Sequence, residues 1–170
     1  MSESIPITAD GPHLEGVFGP LSSDEDRSLR TTIIRLSAEL VGMAQRLGGR
    51  AGWSGTGFEL EWAASGQTSI NAFVDVEEAD RYIEFSVEVR PSWYFGERSD
   101  ERAWFVDERI SVRCAAPRDC GMHDIVSTEH RVRTVPELIA VLDATVARLV
   151  ALSKDHPIAH WIAVDPGCAK

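Results

Sequence analysis

Between Arg81 and Cys114 the chain alternates apolar and polar residues in two runs, RYIEFSVEVR and AWFVDERISVRC, around a polar, aromatic-rich segment. Alternation of this length is what a strand needs to put one face in a core and the other outward, and two such runs in succession predict a β-hairpin. In the first run Ile83, Phe85, Val87 and Val89 share a face. In the second, Val106, Ile110, Val112 and Cys114 do. Charge pairing suggests the register. With Phe85 opposite Val112, the polar face sets Glu84 against Arg113, Glu88 against Arg109 and Arg90 against Asp107. Sliding by two residues to bring Phe85 opposite Ile110 sets Glu88 against Asp107, and like charges directly opposite are unfavourable. The first register is therefore expected. It leaves Glu108 on the apolar phase opposite Val89, either turned outward by a bulge or lying at the core margin near the loop.

The remaining elements arrange themselves around this hairpin. Residues 1–21 carry closely spaced Gly and Pro and read as an irregular arm, leaving 22–170 as a single domain. Ser22 with Glu25 forms a capping-box start, and Leu29, Ile33, Leu36, Leu40, Met43 and Leu47 recur at helical spacing, predicting a helix from about Ser23 to Leu47 that ends at Gly48-Gly49. The segment AGWSGTG around Trp53 reads as a connection. It lacks the terminal Lys and Ser/Thr of a phosphate-binding loop. Phe58, Leu60 and Trp62 predict a first strand, and Ile70, Ala72, Val74 and Val76 a second. A weaker alternation from Ile125 to Arg133 predicts a fifth strand at an edge. Thr134, Pro136 and Glu137 then open a second helix, expected to end near Ser153, with a short docked turn at Ile158, Trp161 and Ile162. The expected fold class is α+β: a five-stranded antiparallel meander with an N-terminal and a C-terminal helix on one face, the other face wet and charged.

Composition restricts the function. Seventeen basic against 27 acidic residues, a formal charge of -10, argue against a nucleic-acid or anionic-membrane surface. A basic protein partner is the better electrostatic match, and a homodimer is also open. The first residues show no basic region followed by an apolar core, so a cytoplasmic location is expected. Cys114, Cys120 and Cys168 are an odd, sparse set that fits a reducing compartment. Cys114, Cys120 and His123 have a spacing unusual for structural zinc, and His156 and His160 lack a third ligand, so neither metal nor cofactor is expected.

The loop from Pro91 to Ala103 is the most interesting surface. Trp93, Tyr94 and Phe95 stand consecutively beside Glu97, Asp100 and Glu101, and consecutive aromatics cannot all enter one core. Aromatic residues concentrate at interface hot spots, so these residues, with Glu108 expected close by, form the candidate partner-binding site. The general outline resembles that of some bacterial immunity proteins and secretion chaperones. This is a resemblance of element order alone. It implies a non-catalytic protein that binds another protein. The alternative is a small enzyme or ligand-binding domain with a pocket between sheet and helices, built around Glu108, His130 or the group Cys114, Cys120 and His123.

Overall fold

A computed structural model describes residues 17–56, 69–78, 81–92, 102–113 and 121–163. The first helix, α1 (Ser23–Leu47), starts and stops on the predicted signals. The Ser22 side chain accepts from the Glu25 N–H while the Glu25 carboxylate accepts from the Ser22 N–H, and Gly48 closes the helix at φ 68°. That left-handed cap is a conformation glycine adopts without a Cβ penalty. The strands β1 (Arg50–Thr56), β2 (Ser69–Glu78), β3 (Arg81–Pro91), β4 (Trp104–Arg113) and β5 (Met122–Val132) lie in the order β1-β2-β3-β4-β5, all neighbours antiparallel. Then come α2 (Val135–Asp155), opened by a Thr134–Glu137 capping box, and the short α3 (Ile158–Ala163). The expected α+β meander is the architecture found.

One face of the sheet packs on the helices. Val74, Val76, Ile83, Phe85, Val87, Val89, Val106, Ile110 and Val112 meet Leu29, Ile33, Leu36, Leu40, Leu138, Leu142 and Leu149 in a single core. Val17 and Phe18 are buried in it, and the Trp104 indole N–H donates to the Val17 carbonyl at 3.1 Å. Trp104 is thus a core residue at the start of β4. No helix among the described residues is long and apolar enough to cross a membrane.

Three expectations need correction. The glycine-rich segment around Trp53 is not a connection but β1, the edge strand that pairs with β2. Neighbours come closest at its glycines and at the one just before it: a Cβ on Gly49, preceding the strand, would stand 2.1 Å from the Asp75 carbonyl oxygen, and one on Gly52 would meet the Phe73 ring at 2.9 Å. Trp53 points inward, where its indole N–H donates to the Ser37 hydroxyl at 2.9 Å. The segment Phe58–Trp62, read as a first strand, lies outside the described residues.

The second correction is the hairpin register. Phe85 faces Ile110, not Val112, and Glu88 does face Asp107. Direct opposition is tolerated because arginine is long enough to bridge diagonally. The Arg109 guanidinium reaches Glu88 at 3.2 Å and Asp107 at 3.0 Å, and Arg90 pairs with Asp107 from the other side. With the charges satisfied either way, the register is left to the apolar layer and to the hairpin base, where the Ser92 N–H donates to the Ala103 carbonyl at 3.0 Å. The third correction concerns the face away from the helices. It is dense with charge but not wet, since Phe73, Asp75, Ser86, Arg90, Asp107 and Ser111 on it are all buried.

Candidate binding face

Pleating sends alternate residues of each strand to the face opposite the helices, and the observed registers line those residues up in rows across the strands. One row runs Asp75, Glu84, Ser111, Asp124, and another Asn71, Glu88, Asp107, Glu129. Between them lies Phe73, Ser86, Arg109, Ser127, and beyond the second row lie Arg90, Phe105 and Arg131. Arg50 of β1 extends the first of these rows, opposite Asp75, and the other guanidiniums stand in the rows between and beyond. Arg90 and Arg109 each reach carboxylates on two strands.

The row containing Glu88, Asp107 and Glu129 is well neutralised. Arg90 pairs with Asp107 and with Glu129 at 3.0 Å, and Arg109 pairs with Glu88 and Asp107. The rings and guanidiniums stack as well: Arg90 and Arg131 lie 5.9 and 5.8 Å from the Phe105 ring centre, within cation–π range. The other acidic row is less balanced. Arg50 donates to both carboxylate oxygens of Asp75 at 2.8 and 2.9 Å, and Tyr82 donates its hydroxyl to Asp75 at 2.9 Å. Asp124 accepts from the Ser111 hydroxyl at 2.6 Å. Glu84, between them, has no cation within ion-pair distance among the described residues, and the Tyr82 hydroxyl stands 3.4 Å from it.

The titration behaviour follows this geometry. Burial raises the Glu84 carboxyl above its ordinary value, a tendency that the Ser86 and Tyr82 hydroxyls and the more distant Arg109 charge only partly offset and the Asp75 charge reinforces. Burial and the hydrogen bond to Asp75 likewise push the Tyr82 hydroxyl up, so it stays a donor at every physiological pH. The hydrogen bonds to Asp75 raise Arg50 further.

The predicted site residues fall in two places. Trp93, Tyr94, Phe95, Glu97, Asp100 and Glu101 lie outside the described residues. At the end of that loop Arg102 stacks on Trp104, 4.9 Å from the ring centre, and pairs with Glu25 at 3.2 Å. Glu108 is not at the loop end. It sits in the middle of β4 opposite Val87, fully buried on the helix-facing side. Arg148 of α2 donates from Nε to both its oxygens at 2.9 Å and from a terminal nitrogen to one of them. That fork raises Arg148 above its ordinary value. No bulge turns the carboxylate outward. A long side chain from the helix supplies its counter-charge inside.

Of the residues of the enzymatic alternative, His123 and His130 lie on β5. His130 lies opposite Val106, two pairs along β5 from the Thr128 that faces Glu108. Cys114, Cys120 and Cys168 lie outside the described residues, among which no cluster of three potential metal ligands occurs. His156 and His160 stack with ring centres 4.3 Å apart, each edge-on to Trp161. The charged rows could be found only through register: the residues alternate visibly in sequence, but which carboxylate stands beside which arginine depends on the pairing. Comparison with protein-family models, with curated proteins and with solved structures finds no match.

Proposed function

We propose that this chain is a non-catalytic protein-binding protein whose charged sheet face engages a basic partner, in the manner of an immunity-type inhibitor or a chaperone-like protein. The observation that carries the reading is Glu84: a half-buried carboxylate, flanked across the sheet by Asp75 and Ser111, with no cation within ion-pair distance among the described residues, Arg109 acting on it only from farther off. A lysine or arginine presented by a partner would complete the row, and a desolvated carboxylate rewards a charge-assisted hydrogen bond more than a solvated one does. The net charge of -10 favours the encounter. The space between sheet and helices offers the alternative reading less. Among the described residues it holds a void of about 10 Å³ lined by Phe18, Ile33, Leu36, Leu40, Trp53, Ile70 and other apolar side chains, with no convergent polar groups in that lining to orient a substrate.

The test uses an arginine- and lysine-rich peptide as probe, with an acidic peptide of the same length as control. The basic peptide should bind, with an affinity that falls as salt is added. Glu84→Gln should weaken it roughly tenfold, about 1.4 kcal/mol. Because the Glu84 carboxyl titrates above the usual 4.5, affinity should begin to fall at a higher pH than an ordinary carboxylate would dictate. Equal binding by wild type and Glu84→Gln would contradict the assignment.

A further inference from the structure

The meander leaves β5 at one edge of the sheet, and an edge strand is a template for another strand. Its irregularity is confined to one end, where the pairing with β4 skips Ile125 between Ser111 and Ile110; from Val126 to Val132 the ladder is regular. Among the described residues, no backbone hydrogen bond outside the β4–β5 ladder involves this regular segment. We propose that it pairs antiparallel with the same segment of a second copy, about a two-fold axis at His130, so that two sheets become one continuous sheet.

The choice of occupant rests on self-complementarity. An axis at His130 sets Glu129 of each copy opposite Arg131 of the other, and Thr128 opposite Val132. Moving the axis to Glu129 places that carboxylate against its own copy, and moving it to Thr128 leaves it against Ser127. Charge did not set the register inside the β3–β4 hairpin, where an apolar layer had to be matched. At this edge the inner positions nearest the axis are the half-buried Thr128 and His130, which impose no such match, so the exposed Glu129 and Arg131 decide.

The overhanging helix agrees. At 100° per residue, Val141, Arg148 and Leu152 share one side of α2. Asp143, paired with Arg35 of α1, marks the opposite side, and Arg148, paired with Glu108, shows that the first side faces β4, the strand next to the β5 edge. Val141 and Leu152 there, like Val126 below, are only partly buried. A strand added at β5 would lie under this shoulder and cover it. The inference concerns the edge of the sheet and does not need the proposed function, though Glu129 and Arg131 also belong to the charged face.

Sedimentation equilibrium on the whole chain tests it. The wild type should show a concentration-dependent dimer. Arg131→Glu should weaken that dimer roughly tenfold or more by opposing like charges, and Glu129→Arg combined with Arg131→Glu should restore it. Because Glu129 also pairs with Arg90, circular dichroism of each variant must match the wild type for the comparison to count. As a second readout that leaves these charges alone, His130→Cys in a chain with Cys114, Cys120 and Cys168 replaced by serine should be joined into dimers by a short thiol cross-linker, and Met122→Cys should not. A wild type that stays monomeric at every concentration, or no cross-linking at position 130, overturns the proposal.

Discussion

Two glutamates, Glu84 and Glu108, show how one side chain can be placed in opposite electrostatic settings within one sheet. Glu108 is fully buried but held by a bidentate guanidinium; Glu84 is less buried but has no cation within ion-pair distance among the described residues. Removing the cation from Glu108 should therefore be costly. Arg148→Met strands a buried carboxylate, and chemical denaturation should show a loss of about 3 kcal/mol, the low end for a broken buried pair because Arg148 itself is 47% exposed. Glu108→Leu combined with Arg148→Met should recover most of that loss, since an apolar pair of similar volume has no charge to desolvate. For Glu84 the sign reverses. Its carboxyl binds a proton more tightly folded than unfolded, so its ionised form opposes folding at neutral pH and this penalty disappears as pH falls through the raised value towards 4.5. Glu84→Gln should melt higher than wild type at pH 7, and the gap should close on acidification. A gap that widens on acidification would contradict the placement of Glu84.

The elements were legible in proportion to how local their signals are. Both long helices announce themselves through Ser22 with Glu25 and Thr134 with Glu137, groups three residues apart that need nothing from elsewhere in the chain. Thr134→Ala should accordingly cost about 1 kcal/mol by thermal or urea denaturation. β1 was not legible, because the glycines in it and just before it are selected by what β2 places over them. The Asp75 carbonyl above Gly49 and the Phe73 ring above Gly52 are tertiary facts, and without them a glycine-rich stretch reads as a turn. Gly49→Ala should destabilise by about 3 kcal/mol or more, as the backbone of β2 cannot move aside cheaply. The hairpin was legible as a hairpin but not in register. Pairing charges only with the residue directly opposite ignores the reach of arginine, and both Arg90 and Arg109 satisfy carboxylates on neighbouring rows. Glu108 was flagged by its phase in β4, yet its partner Arg148 lies forty positions on and faces it only once α2 has docked.

At the scale of the molecule, the two long helices take the apolar side of the sheet and leave the other to a lattice of carboxylates and guanidiniums. Such a lattice gains little stability from any single exposed pair, but it fixes the positions of many charges on a rigid surface, which is what recognition of a charged partner requires. The most direct measurement is to follow backbone amide shifts of the labelled protein while an arginine- and lysine-rich peptide is added. The account predicts that shifts concentrate at Asp75, Glu84, Ser86, Arg109 and Asp124, that they diminish in added salt, and that Glu84→Gln reduces them. Shifts confined to the exposed sides of α1 and α2, or a basic peptide that perturbs no residue of the sheet, would contradict it.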